Sequence, residues 1–140
     1  YDYDDVSKKI QNALNDSNPW VRYWGLIICS SFGIEAIENL NTINHLFEKD
    51  SENLVKIRAA EYLLLNGQEI NNEKIKNLLK SAKTETEANL MLNTLALLKT
   101  KNPSYKLELS KDVFPENWLP PIRNENALVN RRMNYLTNNE

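Results

Sequence analysis

The segment Asp16-Ser17-Asn18-Pro19-Trp20-Val21-Arg22-Tyr23 returns 34 residues later as Asp50-Ser51-Glu52-Asn53-Leu54-Val55-Lys56-Ile57. Asp, Ser and Val recur, a basic residue follows each Val, and a large apolar residue follows the base. Gly33 and Gly67 close the two segments at the same offset, and a weaker third copy, shifted by about one residue, covers 84–99. Self-similarity at such a period restricts the chain to repeat architectures. In these, each unit buries its apolar side only against a neighbouring unit.

Each copy reads as two helices. Val6, Ile10, Ala13 and Leu14 recur at helical spacing on one face. Asn18 is a good N-cap, and Pro19 takes the first helical position, where its missing N–H costs nothing. The helix that follows carries Val21, Trp24, Gly25, Ile28 and Phe32 on one stripe and Trp20, Tyr23 and Ile27 on another. Apolar on two sides, it is expected to be sandwiched between layers. Gly33 is its expected stop. In the second copy Ala36, Leu40, Ile43 and Phe47 mark a first helix with a break near Asn41, and 54–65 forms the second, ended by Gly67. In the third, Ile75, Leu78, Leu79 and Ala82 define one stripe, and Ala88, Met91, Leu95 and Leu98 another.

The expected fold class is all-α: a short α-solenoid of about three helical hairpins (6–33, 35–67 and 70–101, within 1–102), then a tail over 103–140. Only three glycines in 140 residues fit helices better than a sheet rich in tight turns. In the tail, Pro115, Pro120 and Pro121 forbid regular structure around Val113-Phe114 and Trp118-Leu119, which are expected to fasten an irregular segment across the helices. A short last helix over 125–136 would turn Val129, Met133 and Leu136 inward.

The tetratricopeptide pattern of Trp, Leu, Gly and Tyr is absent. Asp followed five residues later by Val and a base, with small residues in the second helix, is similar to HEAT-like repeats. Val21 and Val55 would seed the core, while Gly25, Ala59 and Ala60 would let helices approach closely. Arg22 sits awkwardly, because a cation in the first turn opposes the helix dipole by roughly 0.3–1 kcal/mol. An acidic neighbour removes the objection, so Arg22 is expected to pair with Asp50 of the next repeat or with Asp16. More narrowly, the Val21-Arg22-Tyr23-Trp24 run and the Ala59-Ala60-Glu61-Tyr62-Leu63 run resemble the C-terminal HEAT-like extension of certain bacterial sulfatases, over roughly 1–101. The resemblance implies a parent enzyme that hydrolyses sulfate esters or sulfamates outside the cytoplasm (periplasmic or extracellular), with its divalent cation, calcium, bound elsewhere in that parent. The chain opens at Tyr1 without an initiator methionine or an apolar signal segment, as expected of a piece of a longer protein.

The chain itself carries no recognisable catalytic motif, so no enzymatic activity, metal or cofactor is expected of it. Sulfatases need Cys or Ser in a Cys/Ser-x-Pro-x-Arg setting, whereas Cys29 lies in Ile28-Cys29-Ser30-Ser31. It reads as a buried small hydrophobe. His45 is the only histidine, which excludes His-rich metal sites. Asp2, Asp4 and Asp5 lack the glycine and distal Glu of a calcium loop and read as a solvated helix start. The glycines are isolated and cradle no phosphate, and Arg131-Arg132 is too small a basic spot for a nucleic-acid groove. A net charge of −2 and apolar runs far short of a bilayer span argue against nucleic acid and membrane partners.

Trp20, Tyr23 and Trp24 are the candidate interface. Either they pack between stacked helices, or, if exposed, they mark a contact with another domain or a sugar ring. Three functions follow. The first is a non-catalytic module that braces a sulfatase catalytic domain of the same parent chain, or narrows access to its cleft. The second is a free-standing HEAT-like scaffold that binds a protein along its concave face. The third, a HEAT-like DNA glycosylase, would need a basic concave face around an extruded base, which the charge disfavours.

Overall fold

The computed structural model describes residues 1–109, 113–115 and 128–137; in the last stretch the side chains described are Arg132, Met133, Tyr135, Leu136 and Thr137. These residues are all-helical, with no strand among them. The helices are α1 (Tyr3–Leu14), α2 (Pro19–Phe32), a 3-10 helix (Gly33–Asn39), α3 (Leu40–Lys49), α4 (Asn53–Leu65), α5 (Asn72–Lys80), α6 (Glu85–Lys101) and α7 (Leu128–Thr137). They divide between two compact units, Tyr1–Ile70 and Asn71–Glu140.

In the first unit α1 begins with Asp4 and Asp5 in its first turn, where carboxylates favour the helix dipole, and it buries Tyr3, Ile10 and Leu14. Pro19 opens α2, and the Asn18 side chain accepts the Trp20 N–H at 2.9 Å, satisfying one of the otherwise orphaned donors. The two helices meet at Gly25. A Cβ there would lie 3.2 Å from the Ala13 Cβ and 3.3 Å from Leu14 Cδ2, so a hydrogen is what permits the approach. α2 stops at Gly33, whose φ of 60° is strained for any residue with a Cβ.

The break in the first helix of the second copy falls before Asn41: a 3-10 turn ends at Asn39 and α3 starts at Leu40. Asn39 anchors this tight segment. Its amide donates to the Ala36 carbonyl at 3.1 Å and to the Tyr3 hydroxyl at 2.8 Å, so a buried polar group is satisfied while α1 is tied on. Tyr3 in turn donates to Glu38 at 2.7 Å. α4 is the innermost element, with Val55, Ile57, Ala59, Ala60, Tyr62 and Leu63 all buried. Each large apolar side chain enclosed in this way contributes about 1.5–3 kcal/mol.

In the second unit Asn71 caps α5 by accepting from the Glu73 N–H at 2.8 Å, and Thr84 caps α6 by accepting from the Glu87 N–H at 3.1 Å. α6 buries Ala88, Met91, Leu92, Leu95 and Leu98, the periodic positions of the third copy together with Leu92. α7 is joined to α6 by Lys99, which donates to the Tyr135 carbonyl at 2.5 Å and lies 5.0 Å from that ring's centroid. Val113, Phe114, Met133 and Leu136 are buried. Trp118, Leu119, Pro120 and Pro121, and the side chain of Val129, lie outside the described residues.

Candidate functional site

α4 packs on α2 through a defined set of side chains. Arg58 Nη2 donates to the Tyr23 hydroxyl at 3.1 Å, and its guanidinium carbon lies 5.2 Å from the centre of the Tyr23 ring. One turn on, the Tyr62 hydroxyl donates to the Gly33 carbonyl at 2.9 Å. At the near end Arg22 donates from Nε to Asp50 Oδ2 at 2.7 Å and from Nη2 to Oδ1 at 3.0 Å. Its Nη1 reaches the carbonyls of Asp16 (2.8 Å) and Ser17 (3.1 Å). The hydrogen bonds to Asp50 hold the guanidinium above its usual range. Of the two acidic residues expected to meet Arg22, Asp50 therefore offers its carboxylate and Asp16 its backbone.

α2 lies between α1, which it meets at Gly25, and α4, which it meets at Tyr23, as its two apolar stripes led one to expect, but its outer edge stays open. Its buried residues are Gly25, Leu26 and Cys29, which face α1 and the core, while Trp20, Val21, Trp24 and Ile28 form a continuous exposed arc. The expectation that Val21 and Val55 both seed the core is corrected: Val55 is 1% exposed and Val21 38%. Each of the two apolar stripes that the sequence shows meets a neighbour, the first α1 at Gly25 and the second α4 at Tyr23, and the exposed residues come from both. Of the aromatic trio, Trp20 (55%) and Trp24 (60%) are exposed, whereas Tyr23 lies half-buried beneath Arg58. Edge-on ring contacts join Tyr23 to both tryptophans, at 5.9 and 5.8 Å between centroids. Beside the arc, α1 and α2 flank an open, mostly apolar groove of about 280 Å³, lined by Val6, Ile10, Ala13, Ile28 and Phe32 together with Tyr1 and Lys9. Sequence reading missed this groove, since the same spacing describes a covered helix face and an open one.

Titratable groups do not converge here. Cys29 is fully buried, and burial pushes its thiol up to about 12, so it remains a neutral hydrophobe. His45 is exposed on α3. Among the described residues no group of three or more His, Cys, Asp or Glu side chains is arranged to hold a metal ion. Comparison with known proteins finds no matching family model, no matching curated protein and no matching solved structure.

Proposed function

We propose that this chain is a non-catalytic helical-repeat module of HEAT-like type that docks on another protein domain through the open face of α2. The observation that carries the reading is the exposed arc of Trp20, Val21, Trp24 and Ile28 beside an apolar groove. Solvated helix faces seldom gather two tryptophans with aliphatic neighbours, and contiguous apolar surface of this kind marks interaction sites. The HEAT-like character rests on the Asp/Val/base pattern in both copies and on the cross-copy Arg22–Asp50 pair. The resemblance of Val21-Arg22-Tyr23-Trp24 to sulfatase extensions makes a sulfatase catalytic domain of the same chain the proposed partner.

Reading the open frame that encodes this chain tests the assignment. A Cys/Ser-x-Pro-x-Arg setting in the same frame is the expected result. A frame without one removes the sulfatase and leaves the docking face to be tested separately.

A further inference from the structure

The molecule contains its own example of how the α2 face is covered. Shifted by the 34-residue period, Trp24 corresponds to Arg58 and Ile28 to Tyr62. Arg58 and Tyr62 are the residues by which α4 seats on the preceding α2. Exposure follows the same correspondence: Ile28 is 41% exposed where Tyr62 is 0%, and Val21 is 38% where Val55 is 1%. The open arc of α2 therefore occupies the positions that, one copy later, rest against a preceding helix.

A second correspondence concerns charge. Asp50 Oδ1 accepts the Glu52 N–H at 2.9 Å, and Asp16 Oδ1 accepts the Asn18 N–H at 2.8 Å, so the two aspartates cap equivalent turns. Asp50 also receives Arg22 of the preceding copy. Asp16 is exposed; Arg22 hydrogen-bonds its carbonyl and its charge acts on the carboxylate, but among the described residues no side-chain cation forms an ion pair with that carboxylate as Arg22 does with Asp50. Asp16 presents the same carboxylate at the same place in its turn, beside the same helix face.

We infer that the α2 face is built to receive a helical hairpin whose second helix carries an arginine in its first turn, followed by an aromatic or large aliphatic residue. That arginine would reach Asp16 as Arg22 reaches Asp50, and the following side chain would lie on Trp24 as Tyr23 lies on Arg58. This partner rests on the docking role proposed for α2 and adds its shape and charge. Such a hairpin could belong to the proposed partner domain; a sugar ring or a lipid headgroup would not need the aspartate.

The test adds such a hairpin to the intact chain. A second copy of residues 1–34 is joined ahead of Tyr1, which places its Arg22 as far before Asp16 as Arg22 stands before Asp50, 28 residues. In the added copy Trp20→Phe and Trp24→Phe remove the competing fluorescence. The expected result is a blue shift of tryptophan emission, reduced acrylamide quenching and a higher Tm than the 140-residue chain. Asp16→Asn in the original copy, or Arg22→Gln in the added one, should abolish these gains. The amide oxygen of the substituted side chain can still accept the turn's N–H, so loss of the gain would not reflect a lost turn. Unchanged quenching, or gains that survive both substitutions, overturns the hairpin partner. The docking role fails by a different result: Trp20 and Trp24 staying equally quenchable in the complete product of the open frame.

Discussion

Arg22 and Asp50, 28 residues apart, are joined by two hydrogen bonds of 2.7 and 3.0 Å that lock α2 of the first copy to the turn before α4 of the second. Their side chains are only 13% and 2% exposed, so the pair is largely desolvated. Removing one partner strands the other. Arg22→Ala or Asp50→Ala should each destabilise the protein by about 3 kcal/mol, while Arg22→Lys, which keeps the charge but loses the fork, should cost about half that. Urea unfolding of the singles and the double mutant would check this. The account expects a coupling energy above about 1 kcal/mol, and additive losses would contradict it.

Tyr62 provides a gentler probe of the same helix contact. Its hydroxyl donates to the carbonyl of Gly33 within an otherwise apolar setting. Tyr62→Phe leaves the ring in place and should cost about 1 kcal/mol, read as a lower urea midpoint at unchanged slope. Gly33→Ala should cost more, about 1–3 kcal/mol, because φ of 60° is unfavourable for alanine.

Alkaline pH should loosen the fold. Burial raises Cys29 from a usual value near 9 to about 12, and raises Tyr62 and Tyr105 from near 10 to about 12. A raised folded-state pKa means that the native protein holds the proton more tightly than the unfolded chain does. Stability is therefore complete below about pH 9 and is lost as pH climbs from there towards 12. Urea midpoints measured from pH 7 upward should fall beyond pH 9, and Cys29→Ala should flatten the first part of that fall. In the native state at pH 8, Cys29 should resist thiol reagents and react only on unfolding.

Trp24 is edge-on to Tyr23 yet 60% exposed, so it contributes little to the isolated fold. Trp24→Ser should change stability by less than about 1 kcal/mol, measured by thermal unfolding, while improving solubility. A loss as large as that expected for Arg22→Ala would mean that Trp24 is part of the core.

The helices were largely legible because their local signals agree. Asn18-Pro19 starts α2 and Gly33 stops it, and Met91, Leu95 and Leu98 fall on one face. The Arg22–Asp50 contact was legible for a different reason, since a cation in a first turn requires an acidic neighbour. What periodicity could not show is which apolar side chains of a stripe are covered. Val21 and Val55 stand in the same local sequence and differ only in whether another helix lies over them, a property of the surroundings. The groove beside Ile28 was hidden in the same way, because Val6 and Ile10 look like core residues in any one-dimensional pattern.

On the docking role proposed for it, the Trp20–Trp24 face of α2, which is exposed among the described residues, becomes covered when a partner domain is present. Acrylamide quenching of the tryptophans, measured on the 140-residue chain and on the complete product of its open frame, addresses it most directly. The account predicts strong quenching in the former and a marked loss of quenching at Trp20 and Trp24 in the latter. Equal quenching in both would contradict it.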